Sequence, residues 1–286
     1  MMNRRQRLVG AGLTWICAVA VLIVVALVLD GNVQWGPPNS RDDQCERLRE
    51  SAFVREFQNT WSNLAYLAAG ILILFHARHR LGIAVGASYC YLAFCSGMYH
   101  ASVRDPWQLL DIAGVYWAMI ALIVFGVHGI WERRWKLPTL TSPVAIFFAV
   151  AATITAPLVM AHLMAKLRTS IMLFKSEIAF GIMTVVLLIL VIFALRALNE
   201  EATVENLPPG APDGRAGRWL WFWITPAVAA VAFVFRLCDG KDKALCLPDC
   251  IFQAHAHWHI LSAGALLLSY DFFSRCAGDR GRVIGG

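Results

Sequence analysis

Two histidines near the C-terminus, His255 and His259, have the spacing of a shared metal site. They lie in the apolar segment 251–273, which is long enough to cross a bilayer, since a membrane helix needs about 20 mostly apolar residues. Residues four apart on a helix share a face, so both imidazoles can bind one ion. Polar clusters in membrane segments are costly and indicate function. The alternative is that these histidines lie among lipid headgroups and contact only water.

A second polar group lies where one apolar segment ends and the next begins. Ser96 and His100 are also four residues apart, and Asp111 follows about one helical turn into the next segment. An aspartate at that depth needs a partner or a cation. These side chains therefore belong to the same candidate site only if the helices that carry them meet at one end.

The composition predicts an integral membrane protein. Of 286 residues, 58% are hydrophobic and only 15% are charged, against about 45–50% and 25% in soluble domains. The net charge of +6 is spread over loops, without the basic, aromatic-interleaved runs of a nucleic-acid surface.

Eight segments have membrane-spanning length, and they are residues 8–29, 59–76, 82–101, 107–130, 142–163, 171–195, 219–237 and 251–273. The first segment has a charged start like a signal peptide but is longer than the usual apolar core, so we interpret it as a helix.

The distribution of Lys and Arg predicts that both termini are cytoplasmic. Alternating the segments across the bilayer then places five chemistry-bearing side chains on the outer side, namely Glu56, His100, Asp111, His255 and His259. The same alternation excludes His76, His79 and His128, which fall on the inner side. His162, at the outer end of the fifth segment, remains a reserve ligand.

These residue types together predict a zinc amidase or esterase. Three neutral imidazoles leave zinc a fourth position for water, which is the pattern of catalytic rather than structural sites. Zinc lowers the pKa of bound water to about 7. Asp111 could take the proton and return it to a leaving amine, and Ser96 could donate to the developing oxyanion.

The first outer loop, residues 30–58, is rich in carboxylates and contains Cys45. Such a density of hard oxygen ligands could bind calcium, but on spacing alone a solvated acidic loop is favoured. Cys238, Cys246 and Cys250 lie in the last outer loop, on the side where oxidation is permitted. Their spacing lacks the paired-cysteine knuckle of a zinc ribbon, so disulfides between the outer loops are favoured.

Three motifs resemble those of the alkaline ceramidases, which belong to a superfamily of seven-helix membrane hydrolases that includes adiponectin-type receptors. The motifs are Glu56-Phe57-x-Asn59-Thr60-x-Ser62-Asn63, Ser96-x-x-x-His100 followed by Leu109-Leu110-Asp111, and His255-Ala256-x-Trp258-His259. Their order and spacing match over residues 45–275. The resemblance implies an all-α integral membrane protein, a seven-helix ceramidase-like bundle with one extra N-terminal transmembrane helix.

The resemblance also implies roles for individual residues. Zinc would be bound by His100, His255 and His259, with Asp111 beside the metal water and Ser96 nearby. Calcium would be bound through Asp43, Glu46 and Glu56, although Leu48 stands where the family has asparagine. His257 replaces a tryptophan and lies on the helix face opposite the metal pair.

We predict four regions, namely an N-terminal helix (1–30), an outer acidic loop (31–58), a catalytic membrane domain (59–275) and a cytoplasmic tail (276–286). Cys45 is predicted to form a disulfide with Cys246 or, as the next choice, Cys238. The predicted activity is hydrolysis of the amide of a ceramide-like lipid drawn from the bilayer. The alternatives are hydrolysis of another N-acyl or O-acyl lipid, and a non-catalytic receptor-like protein that keeps zinc only to hold its helices. The sequence leaves open the acyl length, the base and the oligomeric state.

Overall fold

The computed structural model describes residues 4–38, 44–77, 80–135, 176–202, 215–243 and 246–276, with four further helical positions between 151 and 162. Over these residues the chain is helical and contains no strand, so the all-α prediction is confirmed. The helices are α1 (Arg4–Leu29), α2 (Phe57–Ser62), α3 (Leu64–His76), α4 (Arg80–Ser102), α5 (Asp105–Trp135), α6 (Ser176–Ala202), α7 (Arg215–Cys238) and α8 (Ala254–Cys276). The predicted span 142–163 and the predicted cytoplasmic tail lie almost entirely outside the described residues.

Among the residues described, three helical stretches are long and apolar enough to cross a membrane, and they are Arg5–Leu29, Arg80–Ser102 and Asp105–Trp131. Shorter apolar stretches lie in α6 and α7, at Gly181–Ala194 and Trp223–Cys238. A helix pairs its backbone N–H and C=O groups internally, and a membrane span needs this because lipid tails offer no hydrogen-bond partners. The prediction of a membrane protein is confirmed, while the count of eight spans stays a prediction.

The predicted span 59–76 is two helices rather than one. The break falls at Asn63, where α2 ends and α3 begins. Two side chains compete here with the helical backbone, because Ser62 Oγ and Asn63 Nδ2 both donate to the Asn59 carbonyl, at 2.8 Å each. Such local side-chain bonds offer the backbone an alternative to the helix. The short α2 packs against α4 and α8, and its Ser62 side chain contacts His259 on α8.

The buried core lies between α4, α5 and α8. Tyr89, Leu92, Phe125 and Phe273 are among its most completely enclosed side chains. Helix α3 approaches α4 closely at Gly70, where an added Cβ would lie 2.8 Å from the Gly86 carbonyl oxygen. Small residues at such crossings let helix backbones pack tightly inside membranes.

Helix α1 lies against α3 at the edge of the bundle. Trp15 Nε1 donates to the Leu64 carbonyl at 3.2 Å, and Gly10 faces the ring of Phe75. The rest of α1 exposes large apolar side chains, including Leu13, Val21 and Leu27, as expected for a lipid-facing surface.

Four segment ends meet at one end of the bundle. These are the end of α4, the start of α5, the start of α8, and α2 with the residues before it. Backbone bonds join two of them directly, because Arg55 N donates to Ala101 O and Glu56 N donates to His100 O, both at 3.1 Å. We call this end the site end.

Candidate metal centre

Three histidines converge at the site end. His100 comes from the last turn of α4, and His255 and His259 come from the first two turns of α8. One ring nitrogen of each lies within 4.8 Å of the other two, a set that could hold a metal ion. Their exposed fractions are 0%, 8% and 3%. It is the one group of this kind among the residues described.

Each of the three rings has a partner at its Nδ1 atom. His100 Nδ1 lies 2.5 Å from Glu56 Oε2 and His255 Nδ1 lies 2.7 Å from Asp239 Oδ2. An ionised carboxylate can only accept a hydrogen bond, so these two Nδ1 atoms carry the hydrogen. That tautomer leaves the Nε2 lone pair for a metal.

The third ring follows the same rule with a hydroxyl. Ser62 Oγ donates to the Asn59 carbonyl and lies 2.8 Å from His259 Nδ1. Because the Ser62 hydrogen is directed at Asn59, the serine oxygen accepts from His259 Nδ1. All three imidazoles are therefore held in the tautomer that presents Nε2.

The donor set fits zinc. Tetrahedral zinc with Zn–N distances of 2.0–2.1 Å holds its nitrogens about 3.4 Å apart, so binding would draw the widest-spaced pair together by at most about 1–2 Å. Glu56, Asp239 and Asp111 concentrate carboxyl groups around three imidazoles. Buried charge is tolerated only when it is compensated, and a bound dication would supply that compensation.

Ser96 and Asp111 lie beside the histidines. Ser96, one turn before His100 on α4, is 1% exposed. Its hydroxyl hydrogen-bonds the Asp111 carboxyl on α5, which is also within electrostatic reach of His100. The structure thus brings together all five residues that the sequence assigned to zinc chemistry, and their roles stay predictions.

The acidic loop supports this end of the bundle. Glu46 accepts from the backbone amides of Gln58 and Asn59, at 2.7 and 2.9 Å, where negative charge favours the start of a helix. Burial raises the pKa of the Glu46 carboxyl, opposed by those two amides. Asn59 Nδ2 also donates to Glu56 Oε2. Asp43 lies outside the described residues, so calcium binding by Asp43, Glu46 and Glu56 stays a prediction.

The loop before α2 and the loop between α7 and α8 are joined by a disulfide between Cys45 and Cys246. The predicted pairing with Cys246 is confirmed, and the second choice, Cys238, is a free thiol, as is Cys250. Arg47 N also donates to the Pro248 carbonyl at 3.1 Å. The middle of the acidic loop is thereby fastened to the loop that precedes α8.

Asp239 was not predicted as a site residue. It follows α7 directly and is 8% exposed, and burial raises the pKa of its carboxyl, opposed by Arg236 and the Cys45 amide. The available signal was an acid at the end of an apolar segment on the same side as the other site residues. In the sequence Ser62 was noted only as part of the first ceramidase-like motif, although it contacts His259.

The remaining histidines lie outside the triad. His162 is exposed, and His257 stacks on Phe235 with its Nδ1 2.8 Å from the Gln253 carbonyl. His128 lies 17 residues along α5 from Asp111, about 25 Å at 1.5 Å per residue. His76 ends α3 at the opposite end of the bundle, and His79 lies outside the described residues.

An apolar cavity of about 250 Å³ lies directly beneath the triad. Tyr66, Trp258 and Ser262 line its upper part, and the Tyr66 ring lies 5.8 Å from that of His259. Tyr66 Oη donates to Ser262 Oγ at 2.5 Å, because the Ser262 hydroxyl itself donates to the Trp258 carbonyl. Side chains of α3 to α8 form the wall, and none of α1 does. The cavity suits an aliphatic chain.

The ceramidase family model matches residues 36–276 of this chain. The chain belongs to the ceramidase family. The match includes every residue of the centre described above, and it begins after α1. Ceramidase membership also agrees with an apolar cavity beside the histidine triad and the Ser96–Asp111 pair.

One curated relative is similar to part of the chain. A stretch of 124 residues is 28% identical to alkaline ceramidase 1 of Mus musculus, covering 41% of this chain and 44% of that protein. The chain thus aligns with under half the length of this relative.

Proposed function

We propose that this protein is a membrane-embedded, zinc-dependent amidohydrolase that cleaves the amide of ceramide-like lipids into a fatty acid and a sphingoid base. The observation that carries the proposal is the adjacency of three parts: the histidine triad, the Ser96–Asp111 pair and the apolar cavity. Together they would provide a metal site, a proton-transfer pair and space for an acyl chain. Family membership supports a hydrolase acting on amides.

His100, His255 and His259 would hold zinc through Nε2. When bound, zinc acts as a Lewis acid on the scissile carbonyl and makes water a nucleophile at neutral pH. Glu56, Asp239 and Ser62 keep the three rings in the required tautomer. The buried position of the triad excludes bulk solvent, which strengthens each electrostatic contact within it.

Asp111 and Ser96 would act as a coupled pair. Asp111 accepts a proton from the attacking water and returns it to the leaving nitrogen, so the amide and water become a carboxylic acid and an amine. Before reaction Ser96 donates to Asp111. Once Asp111 holds a proton it can donate instead, which releases the Ser96 hydroxyl to bond the developing oxyanion.

The site end would face the periplasm or the extracellular space, with both termini in the cytoplasm. The bias of Lys and Arg supports this orientation. The Cys45–Cys246 disulfide at the same end supports it independently, because disulfides persist on the oxidising side of a membrane. Substrate would enter sideways from the outer leaflet, leaving a tail in the cavity below the triad.

Two alternatives differ from the proposal in chemistry. The same residues could act on another N-acyl or O-acyl lipid, because metal hydrolysis does not specify the headgroup. A receptor-like protein that keeps zinc for structure would not need the Ser96–Asp111 pair. Calcium at the acidic loop remains a separate proposal, in which Glu46 and Glu56 would add a metal contact to the contacts they already make.

In the deciding experiment, the purified protein is incubated with a panel of ceramides, other N-acyl lipids and O-acyl lipids. Released fatty acids are measured by mass spectrometry. We expect release from ceramides, its loss after zinc is removed by a chelator, and its return with added zinc. Release from O-acyl lipids alone would favour the esterase alternative. Zinc-loaded protein that hydrolyses no member of the panel would favour the receptor-like alternative.

A further inference from the structure

Asp239 receives contacts from three separate segments of the chain. Its Oδ2 lies 2.7 Å from His255 Nδ1 on α8 and 3.7 Å from an Arg236 guanidinium nitrogen on α7. Its carboxyl also accepts a hydrogen bond from the backbone amide of Cys45. A side chain that the family argument did not assign therefore joins a metal-ligand candidate to the outer loop.

The Cys45 amide is itself held in position. The disulfide to Cys246 crosses 201 residues of sequence, and the neighbouring Arg47 bonds both the Pro248 carbonyl and, at 2.6 Å, the Asp249 carboxylate. The Arg47–Asp249 ion pair is largely exposed, so it contributes little. The disulfide is the covalent element that fixes where the Cys45 amide points.

The hydrogen-bond partner of a metal-binding histidine affects the affinity for the metal. A carboxylate on the second nitrogen of an imidazole fixes its tautomer and orientation and raises its basicity, and removing such a partner typically costs 10–100-fold in affinity. Asp239 has the geometry of such a partner, whereas Asp249 in the same loop contacts only Arg47 among the contacts described.

We propose that Asp239 is a positioning residue for His255, and that the Cys45–Cys246 disulfide keeps Asp239 in place through the Cys45 amide. The proposal rests on the zinc centre of the proposed function. It makes zinc retention depend on the redox state of an outer-loop disulfide that contacts no metal ligand directly.

The first test measures the zinc affinity of the full chain in detergent by chelator competition. Asp239→Asn should bind zinc about 10–100-fold more weakly, and Asp239→Glu, which keeps the carboxylate, should recover part of the loss. Asp249→Asn is the matched control and should bind as the wild type does. Thermal unfolding of the zinc-free proteins should be alike, because the change acts on the metal site rather than on the helices.

The second test replaces the disulfide with Cys45→Ser/Cys246→Ser, using Cys250→Ser as the control. Zinc affinity should fall in the double variant and not in the control. Adding Asp239→Asn to it should cost little more, because both changes act on one chain of contacts.

The outcomes are distinguishable. Wild-type affinity in Asp239→Asn overturns the positioning role, and full additivity with the cysteine changes overturns the link to the disulfide. If Asp239→Asn does not fold, the Asp239→Glu and cysteine variants decide by the same measurement. A wild-type chain that binds no zinc refutes the proposed metal centre itself and the inference with it.

Discussion

The imidazole of His100 and the carboxylate of Glu56 meet at 2.5 Å, with both side chains enclosed by the bundle. The same two residues are joined through their backbones, since Glu56 N donates to His100 O at 3.1 Å. The ring can therefore neither rotate nor change tautomer without breaking a buried contact. This double connection fixes Nε2 as the atom that His100 offers to a metal.

The ligand assignment predicts the metal content of single variants. His259→Ala removes one of three nitrogens, so the purified protein should lose most of its zinc as measured by elemental analysis. Each imidazole must be neutral to bind, so zinc should also leave the wild type as the pH falls.

Two control variants make this test specific. His257→Ala removes a histidine from the opposite face of the same helix, and His162→Ala removes the reserve ligand. Both should retain about one zinc per chain. Depletion in His162→Ala together with retention in His259→Ala would mean that the ligand set is wrong.

Asp111→Asn should keep the zinc and lose most of the hydrolytic activity. An amide has the size of the carboxyl group but cannot accept the proton of the attacking water. General acid–base groups typically contribute about 10²–10⁴-fold, and kcat for ceramide hydrolysis should fall by that factor. Near-normal turnover would remove Asp111 from the mechanism.

Ser96→Ala tests whether Ser96 contributes less to kcat than Asp111 does. The hydroxyl orients Asp111 and would bond the oxyanion, but the proton acceptor remains, so the loss of kcat should be smaller than in Asp111→Asn. An equal or larger loss would mean that Ser96 carries the larger share of transition-state stabilisation.

Much of the fold was predictable because lipid allows few backbone solutions. Long apolar runs must be helices, and a spacing of four residues places His255 and His259 on one face. Alternation across the bilayer then brings His100 to the same end without any local signal. The break at Asn63 was not predictable from hydropathy, because it depends on bonds from Ser62 and Asn63 to a single carbonyl.

The hydrogen-bond partners of the histidines were also hard to predict from the sequence. Asp239 precedes His255 by 16 residues, and a loop with no periodicity separates them. Its carboxyl contacts the His255 ring and also accepts from the Cys45 amide, which the disulfide to Cys246 ties to the same loop. Such a contact depends on loop conformation, which residue spacing does not encode.

The cavity predicts a limit on acyl length. Its lining extends along α8 from Trp258 to Ser269, about 16 Å at 1.5 Å per residue. Ala229→Phe places a ring halfway down the α7 wall, so hydrolysis of long-chain substrates should fall at least tenfold relative to short-chain ones. The measurement is kcat/KM across a series of N-acyl lengths.

The control for this prediction is Ala227→Phe, because Ala227 is exposed and does not line the cavity. It should leave the chain-length profile unchanged, and both variants should keep their zinc. An unchanged profile in Ala229→Phe would place the acyl chain elsewhere.

Helix α1 should be dispensable for chemistry. It packs against α3, contributes nothing to the cavity lining and lies outside the family match. A chain starting near residue 31 behind a cleavable signal should therefore bind zinc and hydrolyse ceramide at close to the full-length rate. Its thermal stability should drop, because removing Trp15 and its helix exposes the α3 face that includes Phe75.

The comparison of zinc content with activity separates the two roles that α1 could have. Loss of both would show that the helix is needed to fold the bundle, and then Trp15→Ala in the full chain, which removes only the bond to Leu64, becomes the informative variant. Full zinc content without activity would contradict the prediction directly. In that case α1 would shape the path by which substrate reaches the triad, since the residues that hold the metal would be intact.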